Sequence, residues 1–196
     1  MTSDAFFSFI TNFGDLAVLL PLTAAILVWL LWQRGKSRAA WWVAACALCM
    51  GGTALLKVLF FVCPVVPNLR SPSGHTSLST LVFGALAILV ATKSHGWRRW
   101  ASVAIGGAFV LAIAASRVLL YSHTLVETAL GFGIGAAALG VFCLSYLQSL
   151  PIQLRLQPLL VAVALLIALT YGHQLHAEEF LRAIGIILQR DGIACG

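Results

Sequence analysis

The chain has 196 residues, of which 61% are hydrophobic and 9% are charged, and its formal net charge is +6. Soluble domains carry about 25% charged residues, so this composition excludes a soluble globular enzyme, a disordered chain and a nucleic-acid-binding domain. A membrane span takes about 20 apolar residues, and about six spans would account for the apolar share. We therefore expect an all-α fold, a polytopic bundle of about six transmembrane helices that forms one domain over residues 1–196.

Apolar runs and the polar breaks between them predict the positions of the spans. In chain order, the spans cover about residues 16–32, 40–62, 72–92, 100–121, 123–147 and 156–173. Two further segments, about residues 6–13 and 176–190, are predicted to be short amphipathic helices that lie in the membrane interface. No repeat and no linker divides the chain.

The basic residues predict the orientation of the bundle. Most of them fall in the breaks after the first, third and fifth spans, which the positive-inside rule assigns to the cytoplasm; these are Arg34, Lys36, Arg38, Lys93, Arg98, Arg99 and Arg155. Both termini and the remaining loops are then expected on the periplasmic or extracellular side of an inner (plasma) membrane. The tryptophans flank the cytoplasmic breaks and are predicted to form an interfacial aromatic belt; they are Trp29, Trp32, Trp41, Trp42, Trp97 and Trp100.

The cysteines leave two interpretations open. Cys46 and Cys49 form a Cys-x-x-Cys pair inside an apolar run, where they are expected to pack against other helices rather than to carry out redox chemistry. Cys63 and Cys195 are expected on the same side of the membrane, so a disulfide between them is one possibility.

Ionisable side chains from four spans are predicted to lie at nearly one depth, near the outer ends of their helices. Such residues usually face a bundle interior or an aqueous cavity and mark function, because a charge within a span costs a few kcal/mol. A lone lysine can instead extend its head group to the interface, but a set of five at one depth favours a site. The set consists of Lys57, His75, Arg117, His123 and Glu127.

The segment from Ser71 to Thr76 predicts an anion site at the start of the third span. A serine before Pro72 fits a helix N-cap followed by proline at the first helical position. The free N–H groups of that helix end would point outward and attract an anion. Gly74 would allow the anion to approach the backbone closely, with His75 beside it.

His123 and Glu127 are spaced i,i+4, so a single helix would place them on the same face. The carboxylate would accept a proton from one imidazole nitrogen and leave the other nitrogen free as a nucleophile. Arg117, on the preceding helix, offers a planar guanidinium suited to phosphate. An ion pair between Arg117 and Glu127 that only joins two helices is the structural alternative.

These motifs resemble two signatures of the type 2 phosphatidic acid phosphatase superfamily, which also holds the vanadium haloperoxidases. Pro72-Ser73-Gly74-His75 matches the second motif in full, and Ser116-Arg117…His123…Glu127 matches the spacing of the third, with Glu127 where the usual pattern has Asp. In the first motif, Lys57 matches, but Pro64 stands where an arginine is usual. Arg70, just before the second motif, is the candidate for that missing charge. The resemblance extends from about Lys57 to Glu127.

The resemblance implies an integral membrane lipid-phosphate phosphatase that works through a phosphohistidine. His123 would be the nucleophile, His75 would protonate the leaving oxygen and Glu127 would orient His123. The phosphate oxygens would be held by Lys57, Arg70, Ser73, Gly74 and Arg117. No metal and no cofactor is expected in this scheme.

The substrate implied by the resemblance is a lipid phosphate from the outer leaflet, such as undecaprenyl diphosphate, phosphatidic acid or phosphatidylglycerol phosphate. Undecaprenyl diphosphate is the preferred candidate for so compact a chain. Two alternatives remain open at this point: a lipid phosphotransferase with the same residues, and a catalytically degenerate membrane transporter or scaffold.

Overall fold

The computed structural model describes residues 3–33, 35–63, 71–148, 155–175 and 177–190, so Arg70 and Cys195 lie outside the described residues. The described chain is helical and contains no strand. A 3₁₀ turn, Asn12–Gly14, separates the first two of its α-helices. In chain order, these helices are α1 (Ser3–Thr11), α2 (Leu16–Trp32), α3 (Lys36–Val62), α4 (Gly74–Lys93), α5 (Trp97–Leu119), α6 (Leu125–Gln148), α7 (Gln157–Thr170) and α8 (Ala177–Arg190).

The helical bundle has the dimensions and the surface of a membrane domain. Five helical stretches of the described residues are long and apolar enough to cross a membrane: 4–32, 36–62, 74–93, 97–119 and 125–146. Large apolar side chains such as Val28, Ile105 and Leu144 are exposed on their outer faces, as expected where helices meet lipid rather than water. The polytopic all-α architecture predicted from composition is confirmed.

The sixth predicted span corresponds to α7, which has only 14 residues. At about 1.5 Å per residue, α7 is about 21 Å long, which is shorter than the hydrocarbon core of about 30 Å. It packs against α2, and the indole N–H of Trp29 donates a hydrogen bond of 2.9 Å to the backbone oxygen of Arg155, just before α7 begins. Five spans and a shorter sixth apolar helix are therefore observed where six spans were predicted.

Helix α4 occupies the centre of the bundle. Of its most apolar stretch, 67% is buried, the largest share among the five candidate spans, and it packs against α3, α5 and α6. Glycines bring α6 very close to it: a Cβ atom on Gly131 would lie 2.4 Å from the backbone oxygen of Ser73, and one on Gly135 would lie 2.3 Å from that of Ser77. The start of α4 is thus fixed against the first turns of α6.

The N-terminal and C-terminal segments meet on one face of the bundle. The hydroxyl of Tyr171 donates a hydrogen bond of 3.0 Å to the backbone oxygen of Phe9, and its ring lies 4.8 Å from that of Phe13. Next to them, the N–H of Leu175 donates to the Asp15 carboxylate at 3.0 Å. The chain that leads from α7 into α8 is therefore anchored to the junction between α1 and α2.

The predicted tryptophan belt is wrong for two of its six members. Trp29 and Trp42 are buried, whereas the other four indoles are exposed. A tryptophan can be buried when its N–H finds a hydrogen-bond acceptor. The indole of Trp29 donates to Arg155, as described above, and that of Trp42 donates to the backbone oxygen of Thr23 at 3.0 Å, so both rings pack inside the bundle.

Cys46, Cys49 and Cys143 are free thiols within the helices, so the Cys-x-x-Cys pair is not joined by a disulfide. Cys63 is disulfide-bonded.

Candidate functional site

The N-cap of α4 is Ser73, and the predicted cap at Ser71 is wrong. The hydroxyl of Ser73 accepts hydrogen bonds from the backbone N–H of Thr76 at 3.4 Å and from its hydroxyl at 3.0 Å. The N–H of Ser71, two residues before the cap, donates to the Glu127 carboxylate at 3.1 Å. Gly74 and His75 therefore occupy the first helical positions, where backbone N–H groups lack intrahelical partners and favour an anion.

His123 and Glu127 are in contact, although His123 is not part of a helix. Nδ1 of His123 lies 3.1 Å from Oε2 of Glu127. The structure differs from the prediction of one shared helix, since α5 ends at Leu119 and α6 begins only at Leu125. His123 lies in the turn between them, and the turn keeps its ring over the first turn of α6. Both side chains are about 95% buried, with 6% and 5% of their surface exposed.

Glu127 is held in place by a capping box at the start of α6. The N–H of Glu127 donates to the hydroxyl of Thr124 at 3.3 Å, and the N–H of Thr124 donates to Oε2 of Glu127 at 2.9 Å. This reciprocal pair requires Ser or Thr at the cap and Glu or Gln three residues later. The box explains physically why a glutamate serves at this position, and the same carboxylate contacts His123.

A short polar chain connects these residues to α3. The ammonium of Lys57 lies 3.4 Å from the hydroxyl of Ser71, and Ser71 in turn donates its N–H to Glu127. The N–H of Ser73 donates to the backbone oxygen of Glu127 at 3.0 Å. Lys57 is 5% exposed and Glu127 is 3% exposed, so a buried ammonium and a buried carboxylate share one network, as buried charges require.

His123, in the turn between α5 and α6, lies in a desolvated and positively charged environment. Burial of His123 lowers its pKa, and the charges of Arg117 and Lys57 lower that pKa further, whereas its contact with Glu127 opposes the shift. Neutral imidazole is therefore the favoured form of His123 near neutral pH. With Nδ1 directed at Glu127, its proton lies on that nitrogen and the lone pair lies on Nε2.

A cavity of about 250 Å³ brings the predicted residues together. Lys57, Gly74, His75 and His123 all line it. Arg117 lies within electrostatic range of both histidines. Residues from α3 and α4 and from the turn before α6 thus converge on one pocket at one end of the bundle, and Arg117 of α5 acts on its two histidines.

A sequence model of the PAP2 superfamily matches residues 61–151, which contain both motifs of this pocket. This stretch is a PAP2 superfamily domain. No curated protein and no solved structure matches the chain. Lys57 precedes the matched region, so the structure rather than the family match connects the lysine to the PAP2 motifs.

Of the predicted phosphate ligands, Ser73 caps α4 and Arg70 is not among the described residues. Ser73 is fully buried, and its hydroxyl accepts the two hydrogen bonds from Thr76 that cap α4. Arg70 lies outside the described residues. Among the described residues, no group of three or more His, Cys, Asp and Glu side chains is arranged to hold a metal ion.

One contact of the PAP2 site has no counterpart in the motifs. Oδ2 of Asp15, at the junction of the 3₁₀ turn and α2, lies 3.6 Å from Nε2 of His75. Asp15 precedes the matched region by more than forty residues. The sequence offered one signal, an acidic residue on the expected outer side of the first span, but spacing along the chain could not connect it to His75.

Proposed function

We propose that this protein is an integral membrane lipid-phosphate phosphatase that works through a phosphohistidine. The observation that carries this proposal is the arrangement at His123. Its Nδ1 is directed at Glu127, so Nε2 is the free nitrogen, and the ring lines the same cavity as Lys57 and His75. An oriented neutral imidazole beside cationic groups is what a nucleophile for a phosphate ester requires.

In the first half of the proposed reaction, Nε2 of His123 attacks phosphorus. The new P–N bond forms while the bond from phosphorus to the leaving oxygen breaks, and His75 gives a proton to that oxygen. Lys57 and Arg117 balance the charge on the phosphate oxygens, together with the N–H groups at the start of α4. These groups supply the electrostatic stabilisation in this scheme without a metal cofactor.

In the second half, water attacks the phosphorus of the phosphohistidine. His75 accepts a proton from the water, the P–N bond breaks and its electron pair returns to His123. Glu127 accepts the hydrogen bond from Nδ1–H of His123 throughout, so the proton stays on Nδ1 and Nε2 is free again for the next cycle.

The apolar part of the cavity supports a lipid rather than a water-soluble ester as the substrate. Beyond the polar groups, the lining is formed by apolar side chains of α2, α3, α4 and α8, among them Leu16, Met50, Leu78, Phe180 and Leu181. A phosphate held at the histidines would place an attached hydrocarbon chain against these side chains. The positive-inside pattern supports a site that faces the outer leaflet, with undecaprenyl diphosphate as the preferred substrate and phosphatidic acid and phosphatidylglycerol phosphate as further candidates.

The test is phosphate release by the purified protein in detergent, measured on a panel of these three lipids in the presence of a chelator. The proposal predicts release from at least one lipid, with activity retained in chelator and lost in His123→Ala. Activity that survives in His123→Ala, or that disappears with chelator, would contradict the mechanism.

Product analysis in this assay, together with a vanadate-binding assay, separates the two alternatives that the residues leave open. A phosphotransferase would transfer phosphate to a second lipid, which appears as a phosphorylated lipid product instead of inorganic phosphate. A degenerate transporter or scaffold would release no phosphate and would fail to bind vanadate, a mimic of phosphate in its transition state.

A further inference from the structure

We propose that Asp15 is a positioning residue for His75, so that the site uses a second histidine–carboxylate pair. This inference rests on the proposed phosphatase function, since protonation of a leaving oxygen by His75 has meaning only in a phosphoryl transfer.

The carboxylate of Asp15 is fixed in place by the backbone. Oδ1 accepts hydrogen bonds from the N–H of Ala17 at 2.9 Å and from that of Leu175 at 3.0 Å. Oδ2 is directed at Nε2 of His75, at 3.6 Å, which is an ion-pair contact rather than a hydrogen bond. Asp15 is 6% exposed, so its charge is held next to His75 in a setting where water screens it little.

Gly14 allows the N-terminal segment to approach α4 this closely. A Cβ atom at Gly14 would lie 3.3 Å from Cβ of His75 and 2.9 Å from Cγ2 of Ile113. The absence of a side chain therefore lets the 3₁₀ turn pack directly on the first turn of α4. The next residue along the chain is Asp15, which places its carboxylate beside the imidazole.

The charges around His75 explain why a carboxylate is needed there. Lys57 of α3 lines the same cavity as His75, and Arg117 of α5 lies within electrostatic range of it, so two cations lie near the imidazole. A general acid must carry the proton that it gives away. Asp15, which approaches from the α1–α2 junction, is the anionic group that opposes the two cations at His75.

In the proposed reaction, the P–O bond breaks and its electron pair stays on the leaving oxygen. His75 gives its proton to that oxygen at the same time. Water returns a proton to His75 in the second half. Asp15 exchanges no proton in either step. It orients the ring and stabilises the positive charge of His75 while the imidazole carries the proton, whereas Glu127 orients the nucleophile.

The experiment compares wild type and Asp15→Asn on two phosphate monoesters with different leaving groups. Dodecyl phosphate releases an alkoxide that needs a proton, whereas 4-nitrophenyl phosphate releases a stabilised anion that does not. The asparagine retains an oxygen for the N–H groups of Ala17 and Leu175 and caps a helix as well as aspartate does. Only the charge beside His75 is removed.

We expect kcat/KM for dodecyl phosphate to fall about 10- to 100-fold in Asp15→Asn, a part of the total effect of a general acid. For 4-nitrophenyl phosphate, the fall should be less than about threefold, because that reaction bypasses the acid. In a His75→Ala background, Asp15→Asn should cause no further loss on either substrate. If Asp15→Asn cannot be purified, Asp15→Ser, which also caps helices, replaces it.

An equal loss on both substrates would assign Asp15 a structural role only and overturn the proposal, as would full activity on both. An additional loss in the His75→Ala background would also overturn it. A wild-type protein that hydrolyses neither of these monoesters nor any lipid of the panel would instead refute the proposed function, and the role of Asp15 with it.

Discussion

Glu127 combines a structural and a chemical role in one carboxylate. Its structural role is the capping box with Thr124, and its chemical role is the contact with Nδ1 of His123. Glutamine can replace glutamate in a capping box, but its neutral amide cannot stabilise an imidazole that becomes cationic. The two roles can therefore be separated by substitution.

We predict that Glu127→Gln retains the fold and loses up to about 10⁴ in kcat/KM, the loss found when a catalytic histidine is left without its orienting carboxylate. The matched control is Thr124→Ala, which removes the cap hydroxyl but leaves Glu127 beside His123. The control should lose about 1 kcal/mol of stability and retain most of its activity. Phosphate release and thermal unfolding in detergent measure both effects. A Glu127→Gln variant that is unstable but as active per folded molecule as wild type would contradict this assignment.

The lowered pKa of His123 predicts the pH dependence of activity. Attack requires neutral His123, so kcat/KM should be maintained as the pH falls below about 6.5, the usual histidine value, and should decline only at the lowered pKa. Lys57 contributes to that lowering, so Lys57→Met should move the acid limb of kcat/KM to higher pH. Measuring both proteins on 4-nitrophenyl phosphate cancels the titration of the substrate. An acid limb at the same pH in both proteins would refute the electrostatic role of Lys57.

Most residues of the site could be predicted from the sequence, but the contacts between them could not. Lys57, His75, Arg117 and His123 are conspicuous because charged and titratable groups are rare in apolar helices. Asp15 was not predicted because its partner, His75, lies sixty residues away along the chain, and their pairing depends on the packing of the 3₁₀ turn. Ser73 rather than Ser71 caps α4, and the N–H of Ser71 donates to Glu127, a long-range contact that local motifs do not contain.

At the level of elements, the contact between α4 and α6 sets the geometry of the site. The backbone of Ser73 lies against Gly131, one turn after Glu127, so any side chain at Gly131 would push the start of α4 away from His123. Gly133 lies on the same helix, but a Cβ atom there would meet nothing within 4 Å beyond its own helix. The two glycines therefore differ in surroundings and not in helix propensity.

We predict that Gly131→Ala loses about 1–3 kcal/mol of stability, the usual range for overpacking, and about tenfold or more in kcat/KM through the displaced anion site. Gly133→Ala should be neutral or slightly stabilising, because alanine is the better helix former. Unfolding temperature and phosphate release report the two effects. Equal behaviour of the two variants would show that the close approach does not control the site.

For the whole molecule, composition and hydropathy predicted the helical bundle because lipid leaves few alternatives to helices with internally satisfied backbones. The same patterns could not separate α7 from the longer spans. Its apolar run is extended by residues 171–173, which leave the helix to form the hydrogen-bonded turn near Phe9. Hydropathy also could not distinguish the interfacial tryptophans from Trp29 and Trp42, since burial of an indole depends on an acceptor from another helix.

The orientation is tested by placing single cysteines at the two ends of the bundle. Ser122 lies in the exposed turn beside the site and His95 lies in the exposed turn between α4 and α5. In intact cells, a membrane-impermeant thiol reagent should label Ser122→Cys, whereas His95→Cys should react only after permeabilisation. The opposite pattern would place the site on the cytoplasmic side.

The most direct test of the central claim is to look for the covalent intermediate itself. Purified protein is mixed with a labelled lipid phosphate, quenched within one turnover in alkali, where a phosphorylated histidine survives, and mapped by mass spectrometry. We predict phosphate on His123 in the wild type and none in His123→Ala. With 4-nitrophenyl phosphate, whose leaving group needs no proton, His75→Ala should accumulate more of the intermediate because its hydrolysis by water is slowed. Turnover without phosphate on any histidine, or with phosphate on His75 instead, would contradict the proposed role of His123.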